Sequence, residues 1–240
     1  MKKLIIVIAS IAVVLLIAGL TAGCGFVLTG SGNLETKEYA FTDFNRVEVS
    51  SAIEFEVSQS SSYSISVTAD DNVIEKVKVT KEGDTLKIGI EIIPRLGSLT
   101  LKAVVTMPHL GALITSGASH GTVSGFNSAS EVNIRASGAS KVEGNIIAGD
   151  VDFNVSGASI VRLQGSAKDM VANVSGASHF HLGDFTVISA DVNLSGASTG
   201  TVNVSGRLDA NLSGASKLSY IGEPTMGAIN TSGASALSKK

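Results

Sequence analysis

The tetrapeptide Ser-Gly-Ala-Ser begins at residues 116, 137, 156, 175, 195, 213 and 232. The steps between copies are 21, 19, 19, 20, 18 and 19 residues. A near-constant period of this length marks a repeat architecture, in which each unit packs on its neighbours. Polar and apolar residues alternate around each copy: Val-Asp-Phe-Asn-Val precedes the copy at 156, and Ile160-Val161-Arg162-Leu163 follows it. Such alternation predicts strands with one buried face. The Val, Ile, Ser and Gly content disfavours helix. Each unit therefore reads as two short strands or so, with the motif at the bend, where Gly tolerates backbone angles that other residues avoid.

A unit this short cannot bury an apolar face alone, but stacked coils can. Parallel strands lie about 4.8 Å apart, so seven coils predict a rod of roughly 30–35 Å. The fold class is all-β, a parallel β-solenoid (β-helix) of about 19-residue coils over residues 111–240, of undetermined hand. Val, Leu and Ala suit its thin interior. Residues 35–110 are less regular. They hold a degenerate copy, Ser50-Ser51-Ala52-Ile53, and a hairpin signal at Glu82-Gly83-Asp84. Breaks fall at Ile92-Ile93-Pro94-Arg95 and Met107-Pro108-His109. This section is expected to cover one end of the stack, as solenoids require.

The beginning of the chain is of another kind. Lys2 and Lys3 precede an uncharged apolar run, Leu4 to Leu20, and Thr21-Ala22-Gly23-Cys24 follows. A basic start, an apolar core and small residues before a cut are the parts of a secretory signal. With the only Cys just after them, residues 1–23 resemble a bacterial lipoprotein signal, and Cys24 is the expected lipid attachment site. The departure is Thr21, where Leu is usual. The other reading is an uncleaved anchor helix, since the run is near the short end of the roughly 17–25 residues that span a bilayer. Either way, the rest of the chain lies outside the cytoplasm. Residues 24–34 read as a tether between membrane and fold.

Charge and cysteine content exclude several classes. With 18 Lys+Arg against 21 Asp+Glu, losing Lys2 and Lys3 leaves 16 − 21 = −5. A mildly acidic chain without a basic stretch argues against nucleic acid as a partner. One Cys excludes a disulfide scaffold.

An ordered set of motifs resembles a known family. Gly30-Ser31-Gly32-Asn33, Val49-Ser50-Ser51-Ala52-Ile53-Glu54, Ala69-Asp70-Asp71-Asn72, Gly83-Asp84-Thr85-Leu86-Lys87-Ile88 and the Ser-Gly-Ala-Ser array are similar to the auto-transporter adhesin head GIN domain family, over residues 30–240. The resemblance implies an exported β-helical protein, often a lipoprotein, with no established catalytic residues, and a lean toward surface binding.

Equal offsets from the motif should form columns along the rod. Asn154, Asn173, Asn193, Asn211 and Asn230 stand two places before it. They make either an amide ladder that ties coils together or a polar array facing a glycan or other repetitive polymer. The last motif serines, Ser119, Ser140, Ser159, Ser178, Ser198, Ser216 and Ser235, have buried parity and are expected to satisfy backbone groups. A nucleophile would need a unique base beside it. His120 and His179 lie three coils apart, roughly 14 Å. His179 and His181 share a face without an acid or Cys to complete a metal site. Glu143, Arg162 and His181 share one offset. Asp150, Asp152, Asp169, Asp184, Asp191 and Asp209 are scattered rather than clustered as a glycosidase requires. Asp70 and Asp71 lack the calcium-loop spacing and read as a turn. Of the aromatics that might stack on a sugar, Tyr220 and Phe180, the second has buried parity.

The expected protein is thus a lipid-anchored, non-enzymatic cell-envelope solenoid without a metal or cofactor. It would act as a structural or adhesive module toward polysaccharide or a surface protein, and could self-associate through its C-terminal edge. The alternative is a carbohydrate-active enzyme or glycan-binding protein on the same scaffold. A Cys24→Ala substitution should move the protein from the membrane pellet to the soluble fraction; continued tight attachment would favour the uncleaved helix.

Overall fold

A computed structural model of the chain describes residues 27–90 and 97–240. The apolar leader, Cys24 and the Ile92-Ile93-Pro94-Arg95 break lie outside the described residues. The seven motifs lie one above another, and the strands flanking them form two parallel rows. Before the corner come β8 (Ala112–Thr115), β10 (Val132–Ala136) and β12 (Asp150–Val155). The row continues through the second halves of β13 (Ile160–Val174), β14 (His179–Leu194) and β15 (Thr199–Leu212), then β17 (Thr225–Thr231). After the corner come β9 (His120–Asn127) and β11 (Lys141–Ile147). The first halves of β13, β14 and β15 follow, then β16 (Lys217–Ile221) and β18 (Ala236–Lys239). The register advances one coil at a time: Val155 pairs with Val174, Val174 with Leu194, and Leu194 with Leu212. The expected parallel β-solenoid is therefore the observed fold.

Strands β13, β14 and β15 are longer than the expected short pairs. The coil's other corner, at Ala148-Gly149 between β11 and β12, is passed without a break at the equivalent Ala167-Lys168 inside β13. The buried positions change phase there in β13 and β14: the next inward residue after Ala167 is Met170, and after Val187 it is Ala190.

The interior is filled by the inward residues of both rows. Phe153 packs against Phe180 at a ring distance of 4.9 Å and against Phe185 at 6.2 Å, both edge-on. All three rings are buried. Bulk is balanced from coil to coil, because Phe180 sits between Val161 below and Gly200 above, and Gly121 lies over Phe55. Burying such side chains contributes about 1.5–3 kcal/mol each.

The corner explains the motif. The motif glycines Gly138, Gly157, Gly176, Gly196, Gly214 and Gly233 have φ between +70° and +77°. A methyl group on Gly176 would also fall within contact distance of the Gly157 carbonyl oxygen one coil below. That oxygen accepts the N–H of Ala177 at 2.7 Å, and the same bond recurs at Ala158, Ala197, Ala215 and Ala234. The ladder thus passes around the bend without a gap. The final serine turns inward: Ser140, Ser159, Ser178, Ser198 and Ser235 donate through Oγ to the carbonyl of the first serine of their own motif, at 2.7–2.8 Å. Two serines differ: Ser216 Oγ donates instead to the Leu194 carbonyl at 3.4 Å, and Ser119 Oγ makes no such bond. The Ser116 carbonyl is taken by the Ser119 backbone N–H, and the buried Ser119 Oγ has no partner among the described residues.

Chain order and spatial order part at the N-terminal end. Strands β2 (Arg46–Val49) and β3 (Glu54–Gln59) flank the degenerate motif and lie in parallel beneath β8 and β9. The chain then leaves the stack through β4 (Ser64–Asp70), α1 (Asp71–Ile74) and β5 (Val77–Glu82). It re-enters below, where β6 (Thr85–Ile90) and β7 (Leu101–Met107) pair in parallel with β2 and β3. The antiparallel β5 covers β6, β4 covers β7, and β1 (Leu34–Tyr39) covers β4. Residues 46–107 therefore supply two further coils, as well as the strands that cover the end.

The described part of the expected tether is seated on this end, not loose. Leu28 is 6% exposed. Gly30 N–H donates to the Ser98 carbonyl at 2.9 Å, and Gly97 N–H donates to that of Leu28 at 2.8 Å. The buried Asp70 accepts from Thr100 N–H at 2.7 Å and Gly32 N–H at 2.8 Å. These donors, Thr100 foremost, hold its carboxyl below the usual carboxylate range. Both oxygens of Asp70 are thus spent on the backbone.

The corner generates a paired prediction. Gly176→Ala should cost about 2–4 kcal/mol, combining an unfavourable φ with a steric clash. Ser51 stands in the glycine place of the degenerate motif at φ +69°. Ser51→Gly should therefore stabilise by about 0.5–1 kcal/mol. Urea midpoints of the two variants should move in opposite directions.

Candidate functional site

The outward face of the first row, beside the motif corner, carries the asparagine column. Strand register places Asn154, Asn173, Asn193, Asn211 and Asn230 side by side, with Arg135 and Ile114 continuing the line below. Asn154, Asn173, Asn193 and Asn211 each stand between inward apolar neighbours, so their amides face out. Asn193 Nδ2 donates to Asn173 Oδ1 at 3.3 Å, Asn211 to Asn193 at 3.0 Å, and Asn230 to Asn211 at 2.7 Å. The ladder stops at Asn154, whose amide turns to Asp152 Oδ1 at 2.7 Å. An amide has two N–H donors and two acceptor lone pairs. The ladder uses one of each at Asn193 and Asn211, Asn193 Nδ2 also donates to Asp191 Oδ1 at 3.3 Å, and the groups left over line the outer face.

The first serine of each motif forms a second line beside the first. Ser156, Ser175, Ser195 and Ser213 join the asparagines in an open trough of about 420 Å³. A shallower recess of about 240 Å³ extends it past Asn230 and Ser232. Together they run over five coils. Sequence reasoning identified the asparagines and missed this serine rim. Parity carried the signal, because each of these serines stands two places after its asparagine.

The carboxylates of this face are each engaged. Asp191 and Asp209 pair in register. Arg207 grips Asp209 through two bonds, Nε at 2.6 Å and Nη2 at 2.7 Å, and Ala228 N–H donates to it at 2.7 Å. The guanidinium, then that amide, holds the Asp209 carboxyl below its ordinary value. Lys168 does the same for Asp169 from 2.9 Å. Asp150 Oδ1 accepts the Asp169 backbone N–H at 3.3 Å. Among the described residues, no group of three or more His, Cys, Asp or Glu is placed to hold a metal ion.

On the second row's outer face, Glu143, Arg162 and His181 stand in register on consecutive coils. Glu143 is bound by Lys141 at 2.6 Å and approached by Arg162 at 4.0 Å. His179 Nδ1 lies 2.6 Å from Thr199 Oγ1, and its ring stacks near His181 at 6.2 Å. His120 is exposed, three coils from His179. Phe180 is buried and Tyr220 half-buried.

Solved structures share this fold. A putative adhesin from Bacteroides fragilis superposes with a TM-score of 0.83 at 18% identity, covering 89% of this chain and all of that one. A putative lipid binding protein from Parabacteroides distasonis gives 0.69 at 24% identity over 90% of this chain and all of its own. A putative adhesin from Parabacteroides merdae gives 0.68 at 16% identity, covering 89% of this chain and 99% of that one. At these identities the likeness concerns the fold. No curated protein matches the chain at a significant level. The family model described as putative auto-transporter adhesin, head GIN domain, matches residues 43–224, and the chain belongs to that family.

Proposed function

We propose that this protein is a cell-envelope lipoprotein whose solenoid is a non-catalytic adhesive module, with the asparagine–serine trough as its binding face. The family description, an adhesin, supports a place outside the cell. The signal-like leader ending at Cys24 supports lipid anchoring there. The observation that carries the binding role is the repetition of one chemistry over five coils. Amides and hydroxyls recur along the trough at the coil spacing of about 4.8 Å. A surface that repeats suits a ligand that repeats. Weak hydrogen bonds, each worth about 1 kcal/mol net, add up along a polymer because later contacts form at high effective concentration. A linear polysaccharide, rich in hydroxyls, fits this surface.

The alternative is a carbohydrate-active enzyme, which would need two carboxylates flanking one bond. With Asp209 held by Arg207 and Asp169 by Lys168, the carboxylate arrangement lends that reading less support than the trough lends to binding.

The test is an array of envelope polysaccharides and host-matrix ligands probed with the purified full-length protein. Binding of a linear polysaccharide is expected. It should weaken at least tenfold in the Asn193→Ala/Asn211→Ala double variant. The unfolding free energy should fall only by about 1–2 kcal/mol for the lost ladder bonds. A folded protein that binds nothing on the array would reject the adhesive role and leave a structural one.

A further inference from the structure

A second recess lies on the outer face of the other strand row, away from the trough. It encloses about 280 Å³, and Arg162, His181, Thr201, Asp184, Ile221 and Lys240 line it. Register builds most of it. Arg162, His181 and Thr201 occupy the same position on three consecutive coils, so guanidinium, imidazole and hydroxyl stand in a row at steps of about 4.8 Å. Lys240 is brought alongside by its backbone N–H, which donates to the Tyr220 carbonyl at 2.9 Å.

The charges in this recess are poorly matched. Among the described residues neither His181 nor Lys240 has an ion-pair partner. Arg162 reaches only Glu143, at 4.0 Å, and Glu143 is already held by Lys141 at 2.6 Å. The one carboxylate in the lining, Asp184, is exposed. His181 shows the consequence: burial, then the neighbouring Arg162, His179 and Lys240, make its imidazole harder to protonate than usual. Two cations, Arg162 and Lys240, against the single carboxylate Asp184 leave an excess of positive charge that is complementary to an oxyanion, and Arg in particular presents a fork that fits carboxylate or phosphate.

The recess is larger than a bare anion requires. Ile221 gives it apolar surface, and the Thr201 hydroxyl and the Gly183 backbone give it neutral polar groups. We infer that this recess binds the carboxylate or phosphate group of an acidic sugar, with Arg162 and Lys240 holding the oxyanion and the sugar ring lying over Ile221. This site shares no residue with the asparagine–serine trough and stands or falls independently of it.

Nuclear magnetic resonance of the His181 ring provides a local readout on the full-length protein. The probes are glucuronate, glucose 6-phosphate and glucose. Saturable shifts are expected with the acidic sugars, with a Kd on the order of 1–10 mM, and none with glucose. A response to glucuronate alone assigns a carboxylate, one to glucose 6-phosphate alone a phosphate, and a response to both a general oxyanion site. Arg162→Gln and Lys240→Gln should each weaken binding about tenfold, and Asp184→Asn should tighten it. These side chains are exposed, so the unfolding midpoint should not move. Equal shifts with glucose, unchanged affinity in both Arg162→Gln and Lys240→Gln, or no shift at tens of millimolar would overturn the assignment.

Discussion

Each coil of the regular stack is tied to the next at its tightest point by one hydrogen bond, from the alanine N–H of one motif to the glycine carbonyl of the motif beneath. That bond exists because the glycine backbone is left-handed and has no side chain to hold the coils apart. If the bends were spaced more widely, the two strand rows could not both keep hydrogen-bonding distance. The serine that follows closes the inner side of the corner with its hydroxyl, so the bend leaves few buried polar groups for water to satisfy. The repeated tetrapeptide is therefore the local chemistry of a stackable corner.

The register that closes the core also builds the surface. Once Val155, Val174, Leu194 and Leu212 align inward, their neighbours Asn154, Asn173, Asn193 and Asn211 must align outward. Any residue type kept at one offset becomes a stripe along the rod, as the asparagines and first serines do. A stripe of mixed types becomes a local site instead. Glu143, Arg162, His181 and Thr201 share one offset but differ in kind, and the recess at Lys240 follows from that variation. The two outer faces thus differ in chemistry, the first a repeated neutral stripe and the second a local cluster of charged groups.

The stack's two ends are built differently. At the N-terminal end, parallel pairing gives way to antiparallel strands, with β5 on β6 and β1 and β4 beyond β7. The segment from Leu28 to Gly32 is then pinned by Asp70 and by the backbone at Gly97-Ser98. The Gly-rich composition of that segment reads as a loose linker. Glycine also permits close backbone approach, and a side chain on Gly30 would collide with the Asp70 carboxylate. Composition alone does not separate these two uses of glycine.

Much of the molecule was legible in its residues. The fixed period set the coil, the two-residue alternation set which side chains point inward, and together they placed the buried serines and the asparagine column. These properties are local and repetitive, so each recurs wherever the pattern does. Three features needed the tertiary structure. The coil formed by β6 and β7 slides beneath the one formed by β2 and β3, against chain order, because sheet pairing depends on edge availability and not on sequence distance. Long strands run through the second corner in β13, β14 and β15, and residue type does not mark whether the bend breaks the ladder, since Gly206 stands there inside β15 just as Gly149 stands between β11 and β12. Lys240 arrives beside Arg162 and His181, residues some sixty to eighty positions earlier, through stacking across several coils. Period and parity belong to the chain itself; which distant groups meet is decided only when the coils close on one another.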